Sequence, residues 1–182
     1  MYAGALVCEE MRFNEAILIE NLERYSSHSG YADDFKWTGD FKNSSKEKIL
    51  CMDAMHFKSR DEQFTVEAIN RELSKLNAAF SMLDPGSVLA TGHWGCGAFG
   101  GDLELKFILQ LMAASSFKLF LRYYTFMDEK FHQSAEVFYS FLKQHNISVQ
   151  ILFKALLWLL LDPQRVEKDK IFDHVRDFLI KT

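Results

Sequence analysis

Eleven residues, Gly92-His93-Trp94-Gly95-Cys96-Gly97-Ala98-Phe99-Gly100-Gly101-Asp102, contain five glycines. Glycine lets the backbone take positive φ and approach a ligand closely. The stretch follows a short apolar run, Ser87 to Thr91, and precedes a helix start at Asp102. There, free N–H groups and the helix dipole favour phosphate. Phe99 can pack on a sugar or a base. The alternative is that the glycines serve only a tight turn. Near the start, Glu9-Glu10 precede Met11-Arg12-Phe13. Adjacent carboxylates beside an aromatic can place one acid on a leaving oxygen, as cleavage of a glycoside through an oxocarbenium-like state requires. A bare Glu-Glu pair otherwise reads as a solvated helix start. Tyr31, in Ser29-Gly30-Tyr31-Ala32, can stack on a purine or simply pack. Phe126, just beyond a strand ending at Thr125, has the same two readings.

Other chemistries lack their residues. Cys8, Cys51 and Cys96 are odd in number and irregularly spaced, which argues against a disulfide framework and against zinc. The six histidines show no metal spacing, and His56 reads as a core or edge residue. There is no Ser-His-Asp pattern, no Walker motif and no GxGxxG fingerprint. The glycine-rich loop lacks a Lys-Ser/Thr end, which argues against nucleoside triphosphate hydrolysis. The formal net charge of −4 means that bulk charge would not hold a polyanion, so a local pocket must. Direct nucleic-acid binding is therefore not expected. The start has no signal-peptide pattern, and the longest apolar run, Ile151 to Leu161, is too short for a membrane span. An intracellular, membrane-free protein is the simplest expectation.

With 182 residues, 48% hydrophobic and 17 of them Phe, the chain can bury one core. Ile69, Leu73, Leu76 and Phe80 predict a helix over Val66 to Phe80, capped by Thr65, with Glu67, Arg71, Glu72 and Lys75 on its surface. Asp84-Pro85-Gly86 predicts a turn. Asp102 to Ser115 is a second predicted helix and Lys118 to Thr125 a strand. Strand, glycine-rich loop, helix and strand make a βαβ unit, which implies parallel pairing and an α/β fold. Helices are expected over Glu129 to His145, Ser148 to Leu161 and Lys168 to Lys181. Lys48 to Phe57 is expected as a strand, Ala16 to Asn21 as strand or helix, and Ser26 to Asn43 as loop with short strands.

In this order, KILCMDAMHF, the helix near Val66, ATGHWGCGAFGGD and LRYYTFMD resemble the poly(ADP-ribose) glycohydrolase family, from about Gly4 to beyond Leu161. The resemblance implies a truncated macrodomain-like mixed sheet with flanking helices and a helix-rich C-terminal region. It implies hydrolysis of ribose–ribose bonds in poly(ADP-ribose), with ADP-ribose and ADP-ribosylated proteins as partners, no metal and no cofactor. CEEMRF stands where the family has a QEE-type signature. Glu10 thereby takes the role of general acid and then base, and Glu9 positions ribose hydroxyls. Tyr31 resembles the adenine-stacking tyrosine. The backbone of Gly95, Cys96, Gly97, Ala98, Phe99 and Gly100 resembles the diphosphate loop, with His93 beside it. Phe99 and Phe126 resemble the aromatics on the terminal ribose and adenine side. Related enzymes place the work in nucleus or cytoplasm. Cys8 stands for the usual glutamine and His93 for the usual asparagine. The chain is expected to be part of a catalytic domain whose glycine-triplet loop would precede Met1, and to have weak or no activity alone. An ADP-ribose reader without catalysis and an inert truncation are the alternatives.

Overall fold

The computed structural model describes residues 11–30, 32–41 and 46–181. Its helices start where capping residues stand. The Thr65 hydroxyl accepts from the Ala68 N–H at 3.1 Å and opens α1, Val66–Phe80. The Asp102 carboxylate accepts from the Leu105 N–H at 3.0 Å and opens α2, Leu103–Ser116. Asp128 and Ser148 do the same for α3, Glu129–Gln144, and α4, Val149–Leu159. Each cap satisfies a backbone donor that a helix start leaves free. The last helix, α5, is Ile171–Lys181. Residues on every side of α2 are buried, among them Leu105, Ile108, Leu109, Met112 and Ala113. A helix apolar all round belongs in the middle of a core, and α2 packs against α1, α3, α4 and α5.

Among the described residues the strands form three separate pairs. β1, Ile17–Leu22, and β4, Glu47–Cys51, run antiparallel with a bulge between Ile19 and Leu22. β2, Ser26–Ser29, and β3, Lys36–Asp40, form a second antiparallel pair. β5, Val88–Thr91, and β6, Phe120–Tyr123, are parallel, in register from Val88–Phe120 to Thr91–Tyr123. The β5–α2–β6 crossover is the βαβ unit the sequence predicts. Leu89 and Leu121 face the core, whereas Val88 and Phe120 are 59% and 66% exposed.

Two expectations need correction. β4 stops at Cys51 rather than Phe57. Beyond it the backbone has other partners: the Met55 N–H donates to the Glu72 carboxylate at 3.0 Å and the Phe57 N–H to the Phe99 carbonyl at 2.9 Å. On α1, Glu72 and Lys75 are not surface residues but 2% and 0% exposed. Ala68, Glu72, Lys75 and Ala79 share one helical stripe, and this stripe faces other charges instead of water.

A buried acid ties α2 to α5. Glu104 accepts from the Phe172 N–H at 2.9 Å, at the start of α5. Burial pushes its pKa up from 4.5 to about 7, against the pull of that N–H. The folded chain therefore binds a proton between these pH values that the unfolded chain does not. Stability from this group is present at low pH and is lost as pH rises towards 7. Glu104→Gln should raise stability at pH 8 by about 1–2 kcal/mol after allowance for solvent screening, and by little near pH 4.5, in urea unfolding at the two pH values.

Candidate functional site

The glycine-rich loop lies at the C-terminal end of β5 and opens α2, the place where open α/β sheets bind ligands. It is closed by its own backbone. The Gly101 N–H donates to the Gly95 carbonyl at 2.9 Å, that of Gly100 to Gly97 at 3.0 Å, and that of Cys96 to His93 at 3.0 Å. Both ends are pinned. Gln110 takes a hydrogen bond from the Thr91 hydroxyl at 2.7 Å and gives one to the Gly92 carbonyl at 3.1 Å. Gln63 accepts from the Asp102 N–H at 2.6 Å. Arg60 grips the Asp102 carboxylate through two nitrogens, at 2.9 and 2.6 Å.

The glycines divide into two kinds. Gly95 has φ of 76°, and a Cβ there would sit 2.6 Å from the Ala54 Cβ. A Cβ on Gly101 would come within 2.7 Å of the Gly95 carbonyl oxygen. These two are required by the packing itself. Gly97 has no positive φ, and a Cβ on it would meet nothing within 4 Å. Folding does not explain why position 97 is glycine. Around it, the N–H groups of Gly97, Ala98 and Phe99 have no acceptor among the described residues. Gly97 and Ala98 are exposed, and Phe99 is 44% exposed. Adjacent free amides at an exposed loop before a helix N-terminus suit an anion.

Aromatic residues flank the loop on two sides. Phe99 meets the exposed His56 ring edge-on at 5.9 Å. Phe126 is 74% exposed and its ring lies over Gly92, where a Cβ would come within 2.5 Å of it. Phe126 and Met127 both take left-handed backbone, with φ of 51° and 66°. Such paired positive φ at non-glycine residues is uncommon and is held only by the surrounding structure. His93 turns into an aromatic cluster, with ring centroids 5.9 Å from Tyr123, 5.5 Å from Phe126 and 5.2 Å from Phe131. Burial lowers its pKa, and its Nε2 has no partner among the described residues. The Cys96 thiol donates to the Trp94 carbonyl at 3.6 Å, and burial pushes its pKa up to about 12. It is a packing residue and not a nucleophile.

Beneath the loop lies what the sequence reading missed. Lys106, 1% exposed at its side chain, pairs with Glu72 at 3% and stands 4.1 Å over the Trp94 ring. Glu72 also takes Arg71 at 2.8 Å, and Arg71 reaches Asp53 at 2.6 Å. The signal was the charged positions on the same stripe as the small apolar residues of α1. Among the described residues no three His, Cys, Asp or Glu side chains gather as a metal site. Glu9, Glu10 and Tyr31 lie outside the described residues.

Residues 1–133 match the family model described as Poly (ADP-ribose) glycohydrolase (PARG), Macro domain fold. Poly(ADP-ribose) glycohydrolase 1 of Caenorhabditis elegans is 30% identical over 178 residues, covering 86% of this chain and 23% of that protein. Probable poly(ADP-ribose) glycohydrolase 2 of Arabidopsis thaliana is 29% identical, covering 69% of the chain and 33% of its own length. Poly(ADP-ribose) glycohydrolase 2 of Caenorhabditis elegans is 26% identical, covering 89% and 38%. The chain thus spans about a quarter to two fifths of the length of these relatives.

Proposed function

The chain belongs to the poly(ADP-ribose) glycohydrolase family, and we propose that it acts on the ribose–ribose bonds of poly(ADP-ribose) and releases ADP-ribose. The observation that carries this is the loop after β5: an exposed run of free amides at Gly97, Ala98 and Phe99, on a frame fixed from both ends. In this reading the Gly95 to Gly100 backbone wraps the diphosphate, and the free amides of Gly97, Ala98 and Phe99 donate to it. Tyr31 stacks on adenine, and Phe99 and Phe126 flank the terminal ribose and adenine side. Cys96 and His93 line the loop through packing. Binding of the diphosphate orients a sugar remote from it, so affinity there supports bond cleavage.

The chemistry falls to the glutamate pair. Glu10 gives its proton to the leaving ribose oxygen as the glycosidic bond breaks. The anomeric carbon gains oxocarbenium character, water adds to it, and the Glu10 carboxylate takes the water proton. Glu9 holds ribose hydroxyls. ADP-ribosylated proteins in nucleus or cytoplasm, and a part in the DNA damage response, complete the proposal.

Titration of the purified chain with ADP-ribose by calorimetry, beside a gel assay of polymer digestion, tests it. Binding with digestion supports the enzyme. Binding without digestion supports an ADP-ribose-binding module instead. Absence of both overturns either reading for this chain. Within the loop, Gly97→Ala should weaken ADP-ribose binding by about tenfold with an unchanged melting temperature, because its methyl meets only ligand. Gly95→Ala should lower the melting temperature, because its methyl meets Ala54 and the backbone is left-handed.

A further inference from the structure

Lys106 stands under the closure of the glycine-rich loop. Its ammonium lies 4.1 Å over the Trp94 ring. A Cβ on Gly95 would meet that nitrogen at 3.1 Å, and one on Gly101 would meet the Lys106 Cε at 3.0 Å. The side chain is 1% exposed, so the cation faces the loop rather than water. An ammonium has three donors. Among the described residues, the Glu72 carboxylate is the one acceptor this ammonium has. A buried charge so thinly served is costly unless something else compensates it.

Lys106 does not have Glu72 to itself. The other oxygen of that carboxylate accepts from Arg71 at 2.8 Å and from the Met55 N–H at 3.0 Å. Arg71 reaches Asp53 at 2.6 Å, and Asp53 pairs with Lys75 at 2.5 Å. Along the line Lys75, Asp53, Arg71, Glu72, Lys106 the charges alternate, with a cation at each end. Three cations on two carboxylates leave one positive charge over. The Lys75 end is served by two further acceptors, the Arg12 and Glu15 carbonyls. The Lys106 end has an aromatic face and the loop. Asp102, the acid at the end of the loop, does not cancel it, because Arg60 pairs with that carboxylate.

We propose that Lys106 supplies the positive charge that holds an anionic ligand on the free Gly97, Ala98 and Phe99 amides, as the uncompensated end of this ladder. This rests on the diphosphate reading of the loop above. Lys106 touches no ligand; it acts through its field across the loop backbone. Two residues span at most about 7 Å, so Gly97 begins within about 12 Å of the ammonium. At an effective dielectric of about 20, a unit charge at that distance changes the affinity of an anion on the order of tenfold. The chain as a whole carries a formal charge of −4, so the attraction has to be local.

The experiment uses the whole chain, ADP-ribose as the probe and variants that change the surplus in opposite directions. Glu72→Gln with Lys106→Met removes the pair beneath the loop and leaves no ion stranded there. Asp53→Asn acts at the member that is 35% exposed and raises the surplus by one charge. There Arg71 keeps Glu72, and Lys75 keeps its two carbonyls, so this variant decides the test if the double variant fails to fold. Calorimetric titration is read beside hydrogen exchange at the Cys96, Gly100 and Gly101 amides, which close the loop. The double variant should bind ADP-ribose about tenfold more weakly with protection at those amides unchanged, and Asp53→Asn should bind it as tightly or up to about threefold tighter. A double variant with wild-type affinity, or one that loses affinity and protection together, overturns the charge role, as does an Asp53→Asn chain that binds more weakly. Gly97→Ala separates this from failure of the reading beneath it. If Gly97→Ala binds as tightly as wild type, or wild type does not bind at all, the loop is not the diphosphate site and both fall. If Gly97→Ala weakens binding and the double variant does not, the charge role alone falls.

Discussion

Glu10→Gln should lower poly(ADP-ribose) turnover by about a hundredfold to ten-thousandfold and leave ADP-ribose affinity nearly unchanged. Glutamine keeps the size and hydrogen-bonding outline of the acid but has no proton to give a leaving oxygen. Both halves of the proposed cycle need that proton, first on the ribose oxygen and then back from water, so no step escapes the change. Affinity should survive because the groups assigned to the diphosphate are the free backbone amides of Gly97, Ala98 and Phe99, far along the chain from position 10. Single-turnover digestion and calorimetric titration of the same preparation separate the two effects. If the variant digests polymer at the wild-type rate, Glu10 is not the acid. If it loses affinity as well, residue 10 contributes to the fold or to ground-state binding rather than to proton transfer.

Glu72→Gln should destabilise the folded chain by about 3–5 kcal/mol, a large fraction of what a domain of this size holds. The reason is the partner left behind. Lys106 is buried to 1% at its side chain, and Glu72 is the carboxylate that pairs with it. Removing one member of a buried pair strands the other charge in a poorly polarisable site. Burial already lowers the Lys106 pKa below its ordinary value against the pull of Glu72. Without Glu72 it should fall further. The folded variant then sheds a proton that the unfolded chain keeps, so the deficit shrinks as pH rises towards 10.5, the ordinary value. Removing both charges, Glu72→Gln with Lys106→Met, should recover most of the loss, since no ion remains unpaired. Urea unfolding of the two single variants and the double variant measures the coupling. Simple additivity would show that the pair does not act as a unit.

Much of this architecture is legible in the residues. Thr65 and Asp102 mark helix starts because short side-chain oxygens there meet free N–H groups, and both caps are formed. The parallel pairing of β5 and β6 follows from strand, loop, helix and strand in order. The sequence is less clear where local pattern and tertiary demand diverge. Lys48 to Phe57 is apolar enough to read as a strand, yet the Met55 and Phe57 amides serve Glu72 and the Phe99 carbonyl, partners distant in sequence. Glu72 and Lys75 look like solvated helix positions because charge is ordinarily at the surface. Their burial depends on Asp53 and Lys106, which no local window contains. The division of the glycines into those required by packing and Gly97, which is not, needs coordinates as well.

The charge chain, buried at Glu72, Lys75 and Lys106, also constrains how this sequence can change over evolutionary time. Asp53, Arg71, Glu72, Lys75 and Lys106 pair in a ladder, three cations on two carboxylates, that reaches from Lys75 to beneath the glycine-rich loop. A lineage that altered one rung would strand its neighbour before a second change could rescue it. These positions are therefore free to drift only in concert, and a descendant that lost one rung would be under pressure to dismantle the adjoining ones. Gly97 can be exchanged by a single change without cost to the packing; the ladder beneath it is inherited as a block.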